Sequence, residues 1–359
     1  MTRTRFSLFL LPIGLGVVLA GCGGGSGGGV TAPTPVNTDG FIKSTEIVFV
    51  STRSGVSNLY RANADGSNAR PLTNFAGTVF TNVERPSVSP NGDRIVFQFA
   101  QSFPANANSN TDIGIVNTDG TNPRALTNDR TQAKGPEDYA PTFSPDGQFI
   151  FWTSTRGSVD YLNKVPHIWR MNGQAGSEGA DQGNAPFIAA TSAYPSFGNS
   201  KNTLVYATPG QTSALAVQPL TNGAIASGST PTAIGAGIAG DRVFDVALSP
   251  DGSRVAFSVA SSGKAPVSNV QTPTAATINI LNTSGSASPI TVSGQTNPGG
   301  SAWSRNTATP TLFFDATTTS GTTTTRGLFS LTPLSGTPTA VPNGTTPGAN
   351  YSPATLTGS

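Results

Sequence analysis

The sequence predicts an all-β protein: a six-bladed β-propeller of four-stranded antiparallel blades, closed by the C-terminal strand pairing into the N-terminal blade. Three observations predict it. A unit of about 50 residues, the length of one propeller blade, recurs along the chain. Within each unit, short apolar runs alternate with Pro, Asp, Asn and Gly turn residues, the pattern of consecutive antiparallel strands. The first unit lacks an opening strand and the last is an opening strand alone, so the two ends together supply one complete blade.

The elements of the unit follow in order. A first strand ends in an apolar residue before a Ser-Pro-Asp-Gly turn, and the serine position recurs at 89, 144, 198 (a glycine), 249, 304 and 352. A second strand carries one ring near its end: Phe49, Phe97, Trp152, Tyr206, Phe257 and Phe314. Six equivalent rings are expected to fill the wedges between sheets, where a fully buried large apolar side chain contributes roughly 1.5–3 kcal/mol. A third strand begins at Leu59, Ile113, Ile168, Leu215, Ile278 and Leu328; its best copies run into Asp65-Gly66 and Asp119-Gly120, read as hairpin turns rather than fragments of a calcium loop. A fourth, outer strand is expected at residues 70–73, 124–127, 187–190, 231–234, 289–292 and 338–341. Prolines in or beside several of them suit an edge, where a missing N–H costs no ladder bond.

Only 11% of residues are charged, while Gly (42) and Pro (28) abound; about 25% charged is usual for a soluble domain. This mixture suits short strands and turns. The 20 basic residues fall to 18 once Arg3 and Arg5 are removed with a signal segment, matching 18 acidic ones. A neutral mature chain gives no basic face for nucleic acid, which is excluded as a partner.

Residues 1–5 are basic and 6–19 form an apolar run, short for a transmembrane helix. Leu19-Ala20-Gly21-Cys22 resembles the lipobox of bacterial lipoprotein signals, in which the cysteine is acylated and becomes the mature N-terminus. Cys22 is the only cysteine. The resemblance implies a signal peptide over 1–21, a lipidated Gly/Pro-rich tether over 22–43 and a propeller over 44–359. It also implies export and anchoring to the cell envelope by acyl chains, at the outer membrane facing the periplasm if the source is a diderm bacterium. Gly24-Gly25-Ser26-Gly27-Gly28 satisfies the Gly-x-Ser-x-Gly nucleophile pattern only by chance, having no flanking strand or helix.

The pattern Pro-x-aromatic-Ser-Pro-Asp-Gly, then an apolar strand, Asp-Gly and Leu-Thr, is matched at 46–74, 85–128 and 139–171. It thins over 194–223 and 299–341 and revives at 246–257. These residues resemble the TolB-like propeller repeat, also called PD40 and similar to WD40. TolB itself carries an α/β domain before its propeller, and prolyl-oligopeptidase relatives carry a hydrolase domain. Only about twenty residues lie between Cys22 and the first strand here, so the resemblance implies an isolated propeller, expected to be monomeric.

Catalytic sets are scarce. His167 is the only histidine, so neither a multi-histidine metal site nor a facial triad can form, and no cofactor or metal is expected. A functional face is expected where the inner strands begin, around the mouth of the channel. The candidates there are Glu84, Arg85, Glu137, Asp138, Tyr139, Tyr194, Asp241, Arg242, Phe244, Asp245 and Asn350, a mixed charged and aromatic group suited to a partner or ligand. Long polar loops are expected at 101–111, 158–166, 173–185 and 261–276. The sequence therefore points to a non-enzymatic protein-binding or scaffolding module with an envelope partner. The alternatives are a carbohydrate-active or hydrolytic enzyme using Glu137 with Asp138 or Asp241 with Asp245, and a small-ligand sensor.

Overall fold

The computed structural model describes residues 40–100, 111–128, 136–156, 165–261, 276–285, 290–291, 297–320, 322–332, 337–341 and 350–355. Cys22 with the signal segment and most of the tether lie outside the described residues, as do most of the expected loops at 101–111, 158–166 and 261–276.

Six antiparallel sheets form the six blades. β1 (Glu46–Ser51), β2 (Asn58–Asn63) and β3 (Arg70–Pro71) belong to blade 1. Blade 2 contains β4 (Thr81–Val88), β5 (Arg94–Ala100), β6 (Thr111–Asn117) and β7 (Arg124–Ala125). Blade 3 contains β8 (Asp138–Phe143), β9 (Phe149–Ser154) and β10 (His167–Asn172). Blade 4 contains β11 (Ala193–Phe197), β12 (Thr203–Ala207), β13 (Ser213–Thr221), β14 (Ala224–Ile225) and β15 (Thr232–Ala236). β16 (Val243–Leu248), β17 (Arg254–Ala260), β18 (Ala276–Asn282) and β19 (Ile290–Thr291) make blade 5. β20 (Ser301–Trp303), β21 (Leu312–Ser320), β22 (Thr323–Leu331) and β23 (Thr339–Ala340) make blade 6. The last strand, β24 (Asn350–Ala354), pairs with β1 and completes blade 1, so the chain closes as the sequence predicts.

The core follows from the second strands, which are apolar on both faces because each lies between two neighbouring blades. Ile47 and Phe49 of β1 pack with Phe313 and Leu328 of blade 6, while Val48 and Val50 pack with Phe97 and Phe99 of blade 2. The same alternation places Trp152 against blade 2 and Phe151 against blade 4. All six second-strand rings are buried, one in each of the six hydrophobic clusters between blades.

The Ser-Pro-Asp-Gly motif makes a turn, with a specific task for each residue. The glycine takes a positive φ (Gly147, 69°). The Ser144 hydroxyl donates to Asp146 (2.7 Å) and accepts from the Phe149 N–H (3.0 Å), tying the turn to the next strand. Ser249 and Asp251 repeat this in blade 5. Gly198 replaces the serine in blade 4 because any side chain would meet the Ser249 carbonyl oxygen, 2.4 Å from its Cβ position. Asp65 and Asp119 accept bonds from Ser67 and Thr121. They are turn residues, as expected.

Three expectations need correction. The fourth strand of blade 3 reduces to one bridge, Ile168 with Ile188, because the Phe187 and Ile188 N–H groups both donate to the Ile168 carbonyl and no longer ladder forms. In blade 4 the extended end of β13 forms an extra hairpin with β14. Ser352-Pro353 is not the turn dipeptide. Ala354 pairs with Val48 as Thr142 pairs with Phe151 and Ser196 with Val205, so Ser352 matches Ala140 and Tyr194, four residues earlier in the repeat than Ser144. A residue-proline step occurs at both places in the unit, and pattern alone could not separate them.

Replacing Phe97 by Ala empties the most ring-rich wedge, where Phe75, Phe80 and Phe99 surround it. The expected loss is about 3–5 kcal/mol, read as a lower midpoint in urea unfolding at unchanged slope.

Candidate functional site

The six first strands line the channel, and their geometry follows from a local distortion. Arg85, Ala140, Tyr194 and Ser352 each have a positive φ of 48–56° immediately before a proline, and β8, β11 and β24 shift register around this point. Such a conformation costs of order 1–3 kcal/mol for a residue with a side chain and persists only where its surroundings fix it. The neighbouring blade fixes it. The second-strand residue one beyond the ring reaches across to the next first strand: Gln98 accepts the Ala140 N–H (3.3 Å), Thr153 the Tyr194 N–H (2.9 Å) and Asp315 the Ser352 N–H (3.0 Å). Ser258, at the same position, donates to the Gly299 carbonyl (2.6 Å).

The bulge turns Arg85 into the channel. Its guanidinium reaches blade 5, three blades away and so opposite in the ring, where it donates to the Phe244 carbonyl (2.8 Å) and pairs with Asp245 (3.3 Å). It also lies over the Tyr194 ring, 5.0 Å from the centroid. Asp245 additionally accepts the Ser301 N–H (2.9 Å) and hydroxyl (2.6 Å). Arg85 therefore bars the channel at the end where the inner strands begin.

Glu84 lies beside this bar. Its carboxyl makes no hydrogen bond or ion pair among the described residues. Burial pushes it up to about 8 against the pull of Arg85, Asp315 pushes further, and Arg326 opposes. Burial likewise lifts Asp245 to about 6 in spite of Arg85 and Ser301. Asp315 is ion-paired with Arg326, and Gly299 packs directly against the pair: a Cβ there would fall 2.0 Å from Arg326 Nη2 and displace that side chain.

On the other side of the Arg85 bar is a cavity of about 140 Å³. All six first strands line it, from Arg85 and Asp245 down to Asn199, Pro250, Arg305 and Thr355 at the end where these strands turn. Its walls are small: Pro86, Pro141, Pro195, Pro353, Ala247 and Ala302 are typical. The cavity thus runs toward the turn end, opposite to the mouth expected from the sequence.

The expected mouth residues divide. Glu84, Arg85, Tyr194 and Asp245 converge on the channel bar. Tyr139 is buried against Tyr194, ring centroids 5.4 Å apart, and burial first, then Tyr194 and Glu137, holds its phenol well above the usual value. Phe244 is a core residue of the wedge between blades 4 and 5. Asp138 is fully buried and locked by Arg156 (2.5 Å) and the Trp152 indole N–H (3.1 Å), so it is a structural anion and not part of a mouth. Glu137 is also buried, its N–H donating to Thr155 Oγ1 (2.9 Å). Asp241 and Arg242 lie in a 3₁₀ turn, Gly240–Arg242; Asp241 accepts the Gly210 N–H and Arg242 donates to the Ala260 carbonyl. Asn350 pairs with Ser51 through its backbone, and its side chain lies outside the described residues. His167 contacts only the Ala190 carbonyl through Nδ1 (3.2 Å) and has no acid or nucleophile partner among the described residues.

Sequence reasoning missed Asp315, Arg326, Gln98 and Arg305. The signal for the first and third was a polar residue just after a buried ring on an otherwise apolar strand.

No protein-family model matches the chain, and no curated protein matches it. Solved structures do, at low identity. A TolB-type protein from Agrobacterium tumefaciens aligns at 12% identity and a TM-score of 0.47, over 85% of this chain and 96% of that one. The tricorn protease aligns at 14% identity and 0.48, over 89% of this chain and 32% of its own. The GH74 enzyme of Niastella koreensis aligns at 18% identity and 0.47, over 86% and 47%. This chain therefore spans under half the length of the last two.

The raised carboxyls give a pH dependence with a definite sign. A carboxyl that holds its proton to higher pH in the folded state makes folding bind protons, so stability falls as pH rises from the ordinary carboxyl range toward about 8 for Glu84. Glu84→Gln is expected to flatten the fall in melting temperature between pH 5 and pH 9; an unchanged slope would assign that dependence elsewhere. Arg85→Ala leaves Asp245 buried without its cation and is expected to cost roughly 3 kcal/mol or more at pH 8. The cost shrinks at pH 5, where Asp245 is neutral.

Proposed function

We propose that the chain is an extracytoplasmic, lipid-anchored propeller that binds an envelope protein through its channel and performs no chemistry of its own. The observation that carries this reading is the composition of the cavity. Its walls are mostly prolines, alanines, hydroxyls and other apolar side chains, with Arg85 and Arg305 as its cations, and its one carboxylate, Asp245, is held by Arg85 and Ser301. An acid–base pair needs two titratable groups free to exchange protons with a substrate. Three of the four carboxylates suggested for that role, all but Glu137, are engaged: Asp138 with Arg156, Asp245 with Arg85, and Asp241 with a turn N–H. Among the described residues no group of three or more His, Cys, Asp or Glu side chains is arranged to hold a metal. A shaped cavity in a rigid ring without reactive groups suits recognition.

Anchoring rests on the lipobox resemblance at Leu19-Ala20-Gly21-Cys22, and the outer membrane facing the periplasm is its proposed site in a diderm source. No helix among the described residues is long and apolar enough to cross a membrane. The size of the cavity favours a second reading, a sensor of a small ligand.

Two measurements test the proposal. Cys22→Ala is expected to move the protein from the membrane to the soluble fraction and to remove the mass of the acyl chains; unchanged fractionation sinks the anchoring. A photo-crosslinking residue at Asn199, on the turn end of the cavity, is expected to capture a partner protein in intact cells. One at Asp241, at the opposite end, is not. Capture from Asp241 alone would put the partner on the other face.

A further inference from the structure

Most buried and half-buried arginines among the described residues meet a carboxylate or an aromatic ring. Arg61, Arg94, Arg156 and Arg326 pair with carboxylates, and Arg53 and Arg170 lie over aromatic rings. Arg305 departs from this pattern. It lines the channel cavity at its turn end, is half-buried, and makes no hydrogen bond, ion pair or ring contact among the described residues. Burial works against its charge and lowers its pKa from the ordinary arginine value. A guanidinium kept partly out of water without an anion loses hydration and gains nothing in return, unless an anion arrives from outside.

We propose that Arg305 is the anchoring cation of a carboxylate-binding site in the channel, whose ligand is the carboxylate end of a slender molecule. The planar guanidinium donates two parallel N–H bonds to a carboxylate, a match in both charge and shape. One cation suits a monoanion; a phosphate dianion would leave uncompensated charge in a poorly solvated cavity. Asp245, the carboxylate at the far end, is neutralised by Arg85 and does not compete. The other walls set the shape. The Trp303 indole N–H is already given to the Ala247 carbonyl (2.9 Å) and its ring is buried in the wedge between blades 5 and 6, so Trp303 adds no free donor. The prolines and alanines offer small apolar surface with no further charge. The cavity, about 140 Å³, is narrow and suits a chain end or a small acid. Two sources share this chemistry, a free aliphatic acid and the C-terminal residue of a polypeptide.

The inference rests on the channel being the recognition site, and its test is separable from the crosslinking that tests that reading. Full-length protein in detergent is titrated calorimetrically with three probes: N-acetyl-trialanine as the free acid, the same peptide as its C-terminal amide, and butyrate. The free acid is expected to bind at least roughly tenfold tighter than the amide, the scale of a hydrogen bond to a charged group. Arg305→Ala should abolish that preference and Arg305→Lys should restore part of it, with unfolding midpoints unchanged. Tighter binding of the peptide acid than of butyrate identifies a polypeptide end; equal binding identifies a small acid. Equal affinity for acid and amide, no binding of either acid by the wild-type protein, or undiminished acid binding by Arg305→Ala overturns the inference. Crosslinking from Asn199 would survive such a result if the channel binds a partner in another way.

Discussion

The inner edge of each blade poses the problem around which this propeller is built. A first strand pairs on one side with its own second strand, but its other edge faces the channel, where backbone N–H and C=O groups have no strand to meet. Buried backbone polar groups are almost always paired, so the neighbouring blade must provide for them. It does so through Gln98, Thr153 and Asp315, which accept N–H groups of the next first strand, and Ser258, which donates to a carbonyl. Ser87 and Ser196 do the same one turn further along, accepting from Phe143 and Leu248. These bonds also hold the positive-φ residues before proline in place. The ring is thus stitched near its axis by polar contacts and filled farther out by six apolar wedges.

The channel bar grows out of the same constraint. Because the bulge is fixed by the neighbouring blade, Arg85 is aimed inward, and the Asp245 it meets is itself oriented by Ser301 of the following blade. Four blades are involved in one contact, since the Arg85 guanidinium also stacks on Tyr194. The bar separates two environments. On one side Glu84 retains a proton toward alkaline pH; on the other lies the small-walled cavity with Arg305 at its end.

Much of the fold was legible because each turn carries its own chemistry. Ser144, Asp146 and Gly147 form their turn by contacts within a few residues, and such local bonds leave a repeating sequence trace. Closure was legible from the incomplete units at the two ends. The register of the last strand was not, because Ser352-Pro353 fits both the turn and the bulge, and only its pairing with Val48 and its bond to Asp315 distinguish them. The site was legible in part. Glu84, Arg85, Tyr194 and Asp245 do meet at the channel, whereas Asp138, also charged and at the start of an inner strand, is turned into the blade by Trp152 and Arg156.

The sequence by itself determined the strand order, the turns, the six buried rings and the closure of the ring, because all of these rest on local periodicity and on counting units. Tertiary structure alone decided which end of the channel is barred, which carboxylates are neutralised and which arginine is left without a partner. The barred end depends on contacts between blades 50 to 160 residues apart, such as Arg85 with Asp245 and Thr355 with Trp303, while Asp138 and Asp315 meet their arginines across neighbouring strands of one blade. No local pattern records whether a charged side chain will find its counter-ion across a ring.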